Sequence, residues 1–393
     1  MFKQATFAFL FDIAGLVAGF LIAYQLNIFQ HYSWAFALYP TLISTRIING
    51  LLSGRLGTGL HLGTINPQFS KNTNSFRKII HAVIVLTLVT SVAVSAISMV
   101  LGNLFLGIQV SNFPAILSVM VATLAIGLIF SLVTMKVAFF SFKHGLDPDI
   151  VVYPIIATLA SIFITLCYVG VLNLWALGPL ADSLILAIVL VHLALAVFLI
   201  STDRRDFEFK KTIKESLLML LLVAFIVTVT GIIFGHLTRF TRSEIDVIFP
   251  ALLTAYPALI NNISNVGSVV GSTANTKLAL GLLRPSFSSI KNHAKNIASA
   301  WLASFLIFVV LALAALLISG NYSASSIVDV IAIILVSNLL AVTGIVTVSY
   351  GIAILTFRRG LNPENFVIPL ETSFATAITS IALLIALLLL TLH

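Results

Sequence analysis

The residues able to do chemistry in this chain are few, and most stand where they are costly. Hydrophobic residues fill 60% of the 393 positions and charged residues only 9%. Inside apolar runs stand Asp12, Arg46, Arg55, Lys136, Lys277 and Glu371. A charge at bilayer depth costs about 2.5–3.5 kcal/mol on insertion scales, so each needs a partner, an escape to the interface or a task. Lys136 and Lys277 lie near the inner ends of their runs and can snorkel. Asp12 and Arg55 lie at similar depth and predict a structural ion pair. Arg46 is nearer mid-membrane with no acidic residue at hand, a candidate anion contact. Glu371 follows Pro369 by two residues and is the lone carboxylate in the first turns of the last run.

The second apolar run of each half is too polar for lipid. One holds Asn49, Gly54, Gly57 and Thr58, the other Asn261, Asn262, Asn265, Thr273 and Thr276. Such a face packs against another helix or lines a wet path, and Asn49, Thr58, Asn265 and Thr276 are the candidates for that path. Enzyme signatures are missing: the chain has no HExxH, no GxSxG and no paired catalytic carboxylates. The histidines, His61 and His192 among them, lack metal-ligand spacing and read as satisfied single side chains. Cys167 is the one cysteine, so no disulfide forms within the chain.

The elements that must position these groups are membrane helices. About eleven apolar stretches are long enough to cross a bilayer: 5–27, 37–63, 79–102, 112–142, 150–172, 182–201, 215–236, 247–281, 297–318, 326–356 and 366–391. Two are long for one crossing and predict either a tilt or a break near Pro40 and Pro257. The fold class is therefore an all-α polytopic membrane protein. The first run begins directly after Met1-Phe2-Lys3, lacks a small-residue cleavage site and reads as a retained span. The net charge of +8 sits mostly in short loops and signals orientation rather than nucleic-acid binding. With the N-terminus inside, the inner loops collect Lys71, Arg77, Lys143, Arg204, Lys211, Arg284 and Arg358, whereas the outer loops hold only Arg239 and Arg242. This predicts a multi-pass cell-membrane protein with a cytoplasmic N-terminus and an external C-terminus.

Two stretches are near copies. Ser141-Phe142-Lys143-His144-Gly145-Leu146-Asp147-Pro148 parallels Thr356-Phe357-Arg358-Arg359-Gly360-Leu361-Asn362-Pro363, and each runs into a span with a further proline, Pro154 or Pro369. Gly15 and Gly19 match Gly231 and Gly235, and Tyr39-Pro40 matches Tyr256-Pro257. The paired glycines read as close helix contacts. The chain thus divides into a first five-helix repeat at 1–175, a linking helix and cytoplasmic loop at 176–212, and a second five-helix repeat at 213–393. The linking helix turns the chain once more, so the two repeats are expected to be parallel.

These motifs resemble the membrane domain of the MgtE-type magnesium transporters, in a tandem form similar to the animal solute-carrier relatives. Asn265-Val266-Gly267 and Leu278-Ala279-Leu280-Gly281 resemble the family's second span, as does Ser53-Gly54-Arg55-Leu56-Gly57-Thr58. Asp147-Pro148, Pro154 and Thr158 resemble its fifth span, and so do Pro363, Pro369 and Ser373. The resemblance implies a path for divalent cations, chiefly Mg²⁺, between the second and fifth spans. It adds Thr158, Ser161, Ser373 and Thr376 to that path. The family's ion-binding aspartate falls on Ser161 and Thr376, and its second-span asparagine on Ile47 in the first half, beside Arg46. A hydrated ion would then rest on hydroxyls, amides and carbonyls, with Glu371 partly replacing the missing acids; Glu371, Thr376, Ser161 and Asn265 are the expected metal contacts. No cofactor is expected, since Mg²⁺ would be substrate. The expected partners are the lipid bilayer and an inorganic cation, with no nucleic acid, and a monomer is possible because one chain holds both repeats. A carrier for another solute (an anion or a monovalent cation) and a non-transporting scaffold subunit remain the alternatives.

Overall fold

The computed structural model describes residues 2–44, 47–144, 153–240, 248–320, 324–359 and 363–391. Arg46 and most of both Gly-Leu-x-Pro loops lie outside these residues, as do the side chains of Thr58 and His61. Every regular element among the described residues is a helix. Seven helical stretches there are long and apolar enough to cross a membrane. They coincide with the expected spans at 79–102, 112–142, 150–172, 182–201, 297–318, 326–356 and 366–391. Of the other four, 215–236 lies within one helix and 247–281 is covered almost entirely by one, whereas 5–27 and 37–63 are each covered by more than one helical element.

The structure forms two compact units, one of residues 25–235 and one of 1–24 with 236–393. The unit of residues 25–235, here the N-half unit, comprises α3 (Leu26–His31), α4 (Ser33–Ser44), α5 (Ile47–His61), α6 (Asn74–Leu106), α7 (Phe113–Gly127), α8 (Phe130–Lys143), α9 (Tyr153–Ala176), α10 (Pro179–Asp203) and α11 (Phe207–Phe240) as far as Gly235. The Thr73 hydroxyl caps α6 by accepting from the Phe76 N–H, and Gly107 ends that helix in the left-handed region. Pro40 is embraced within α4. The linking helix α10 packs on α6, α7 and α9 and turns Leu180, Leu184, Leu190, Val191 and Phe198 outward. Its last residue, the buried Asp203, accepts from Lys78 Nζ and lies 2.6 Å from His81 Nδ1, which fastens α10 to the start of α6.

The C-half unit comprises α1 (Phe2–Leu10), a 3-10 turn (Phe11–Ala14), α2 (Gly15–Tyr24), α12 (Phe249–Ala279), α13 (Ile290–Ser319), α14 (Ala324–Arg358) and α15 (Pro363–Thr391). The expected span 5–27 is thus broken at the turn that carries Asp12. At Pro257 the break does not occur, and α12 runs through it without interruption. Pro257 has no N–H for the Leu253 carbonyl. Gly19 of α2 lies against that strip of backbone: a Cβ there would stand 2.7 Å from the Leu253 oxygen and 2.0 Å from the Thr254 oxygen. Only glycine lets α2 come so close to the freed carbonyls, and Cα–H···O contacts suit that spacing.

The unit boundaries therefore differ from the repeat boundaries. The first helices of the chain, α1 and α2, pack with α12 and α13 of the second half, and most of α11 packs with the first half. Gly231 of α11 meets the Ala37 oxygen of α4, where a Cβ would stand at 1.9 Å. The two glycine pairs do act as close contacts with the opposite half of the sequence: Gly15, Gly19 and Gly231 approach backbone, and Gly235 approaches the Leu106 side chain.

Candidate functional site

Glu371 lies about two turns into α15 and is 1% exposed. The helix continues as a polar, buried face of Thr372, Ser373, Thr376, Thr379 and Ser380. Several of these hydroxyls are satisfied locally. Thr376 Oγ1 donates to the Thr372 carbonyl at 2.9 Å, Ser380 Oγ to the Thr376 carbonyl at 2.9 Å, and Tyr256 OH lies 2.6 Å from Ser380 Oγ. Glu371 is not satisfied. Ser349 of α14 is near enough to interact with it, but Glu371 Oε1, Glu371 Oε2 and Ser349 Oγ are buried and have no close hydrogen-bond partner among the described residues. Ser349 in turn borders Gly267 of α12, where a Cβ would stand 2.8 Å from its hydroxyl. A glycine, a serine and a carboxylate from three helices thus meet in one low-dielectric spot.

A second polar cluster lies elsewhere on α12. Asp12, fully buried in its 3-10 turn, accepts from Asn262 Nδ2 at 3.0 Å and from Asn265 Nδ2 at 2.8 Å. Asn262 Oδ1 accepts from Ser304 Oγ of α13 at 2.5 Å, and Ser304 Oγ accepts from Asn338 Nδ2 of α14 at 2.8 Å. Asn338 Oδ1 is buried without a partner among the described residues. Residues two apart on a helix point about 200° apart. Asn265 and Gly267 therefore serve different faces of α12, and the Asp12 cluster is separate from Glu371.

In the N-half unit, Asn49 Oδ1 accepts from Ser131 Oγ at 3.0 Å beside a cavity of about 20 Å³, lined also by Thr87, Gly127, Ala160 and Ile164. That volume holds about one water. Ser161 Oγ donates to the Ala157 carbonyl at 2.9 Å, and Thr158 is buried nearby on α9. Arg55 donates to Thr212 Oγ1 at 3.3 Å and to Ser216 Oγ at 3.4 Å.

The expected site residues are therefore distributed as follows. Glu371, Ser373 and Thr376 share α15. Asn265 is committed through its amide nitrogen to Asp12. Thr276 is exposed near the end of α12 and bonds its own backbone at 3.0 Å. Asn49, Thr158 and Ser161 belong to the N-half unit. Asp12 and Arg55 belong to different units, and each has hydrogen-bond partners inside its own. His192 Nε2 lies 3.2 Å from the Ile84 carbonyl, as suits a single packed histidine. Sequence reasoning passed over Ser349, Ser304, Asn338 and Asp203. Asn338 carried the usable signal, an amide in the middle of an apolar run.

Among the described residues no three His, Cys, Asp or Glu side chains cluster as a metal site. A cation at Glu371 would be held by one carboxylate with hydroxyls, carbonyls and water, a set of oxygens suited to a hard, hydrated ion. Long apolar helices that bury an unpartnered carboxylate and hydroxyl-bearing faces define a polytopic membrane protein of the ion-handling kind. The family model for MgtE, described as a divalent cation transporter, matches residues 39–171 and 256–387. The chain belongs to that family, in tandem form, and is a multi-pass divalent cation transporter rather than an enzyme by family. Comparison with curated proteins and with solved structures gave no match.

Proposed function

We propose that the protein carries Mg²⁺ across the cell membrane along the polar faces of the second and fifth spans of its two repeats. Asn49, Thr58, Thr158 and Ser161 serve this path in the first repeat. Asn265, Thr276, Glu371, Ser373 and Thr376 serve it in the second. The observation that supports the reading is Glu371, buried with both carboxylate oxygens unpartnered in a chain of this family. A lone buried carboxylate is costly, and an arriving cation removes that cost. Mg²⁺ keeps several of its waters, so hydroxyls and carbonyls suffice for the remaining contacts. The N-terminus is cytoplasmic and the C-terminus external, and one chain works as a monomer.

The test is Mg²⁺ uptake into proteoliposomes, followed with an internal fluorescent indicator. Glu371→Gln is expected to lower uptake at least tenfold while leaving the helical content and unfolding midpoint near wild type. Undiminished uptake by that variant refutes the role of Glu371. Uptake of anions in place of Mg²⁺, abolished by Arg46→Gln, would move the function to the carrier reading.

A further inference from the structure

The two repeats match in sequence but not in their acids. The fifth spans align by the shared Pro154 and Pro369, an offset of 215, which places Ile156 opposite Glu371. In the N-half unit Ile156 is 4% exposed and packs in an apolar cluster with Phe130 and Ala160. The same offset joins Ser141 to Thr356 and places Thr134 opposite Ser349. Thr134 donates to its own helix at the Phe130 carbonyl, 3.3 Å away, whereas Ser349 Oγ has no backbone acceptor among the described residues. The first spans align by Gly15 and Gly231, an offset of 216, which places Thr228 opposite Asp12. Thr228 likewise donates to its own helix, at the Ala224 carbonyl 2.7 Å away. The N-half unit instead carries Arg46 and Arg55 in its second span, where α12 has only Lys277, in its last turn.

We propose that the chain has one cation site rather than two symmetry-related ones, that it lies in the C-half unit, and that Ser349 is a ligand of it beside Glu371. This rests on the divalent-cation reading above. The physical reason is local. A cation needs oxygens whose hydrogen-bonding capacity is unspent, and a fixed negative charge raises its local concentration in a low-dielectric setting. The C-half unit brings together two Glu371 oxygens and the Ser349 hydroxyl, which interact with one another but have no other partner among the described residues. At the corresponding positions the N-half unit has a packed isoleucine and a threonine already bonded to backbone. The Gly267 cradle lets α14 and α12 approach, so that Ser349 and Glu371 are held from separate helices.

The test counts Mn²⁺ bound by the full chain in nanodiscs, by equilibrium binding with Mg²⁺ as competitor. One Mg²⁺-displaceable Mn²⁺ per chain is expected. Glu371→Gln is expected to weaken it at least tenfold and Ser349→Ala about three- to tenfold. Thr134→Val is expected to leave it unchanged. Two equal sites per chain, or a single site indifferent to both Glu371→Gln and Ser349→Ala, would overturn the proposal. Equal sensitivity to Thr134→Val and Ser349→Ala would overturn it too. If Glu371→Gln fails to fold, the Ser349→Ala and Thr134→Val pair decides alone. No Mg²⁺-displaceable Mn²⁺ at all would instead refute the divalent reading on which the proposal stands.

Discussion

Asp12 offers the sharpest test of the hydrogen-bonded frame around α12. It is fully buried and receives two carboxamide donors, Asn262 Nδ2 at 3.0 Å and Asn265 Nδ2 at 2.8 Å. Asp12→Ala strands both. Side-chain hydrogen bonds between membrane helices average about 0.6 kcal/mol and reach about 1.7 in double-mutant cycles. Bonds to an ionised acceptor lie toward the upper part of such ranges. Two of them put the loss for Asp12→Ala at about 1–3 kcal/mol. Asp12→Asn keeps the shape but offers one acceptor oxygen to two donors, so about half that loss is expected. The decisive quantity is the coupling. Asp12→Ala, Asn265→Ala and the double variant should be non-additive by about 0.5–1.5 kcal/mol, because the second change removes a donor already stranded by the first. Unfolding in mixed micelles, followed by far-UV circular dichroism, supplies the free energies. Additive changes within about 0.3 kcal/mol, the scatter expected of independent sites, would refute the carboxylate–amide bonds. The same cycle with Arg55→Ala tests the ion pair that the sequence suggests: additivity there refutes a direct pairing of Asp12 with Arg55.

Gly231→Leu should abolish the folded yield, because even a Cβ there would stand 1.9 Å from the Ala37 backbone oxygen; a folded variant with a wild-type gel-filtration profile would contradict that packing. Thr376→Asp, which restores a carboxylate at the family's position, should tighten Mg²⁺ binding in calorimetry by about tenfold or more, and unaltered affinity would remove Thr376 from the site. Single cysteines at Ser75 and Ser323 should label from opposite sides of sealed vesicles, the first from the cytoplasmic side; labelling of both from one side would overturn the proposed orientation.

The sequence by itself determined the class. An apolar composition with sparse charge leaves only membrane helices, since bilayer-depth backbone must satisfy its own hydrogen bonds. The paired Gly-Leu-x-Pro motifs exposed the repeat, and the second- and fifth-span motifs carried the resemblance that the MgtE match bears out. Single residues out of place were legible as well: Glu371 stood out because nothing in its run could neutralise it. Tertiary structure decided which partner each polar group found. Depth along a helix cannot say which faces meet, so the two amides of α12 that Asp12 receives were not legible in the sequence. Ser349 and Gly267 carry no signal of their own, because small residues are common in membrane helices and gain meaning only from what approaches them. Beside Pro257, α12 is approached closely by Gly19, more than two hundred residues earlier in the chain. What stands beside a carbonyl freed by proline is a property of packing rather than of sequence.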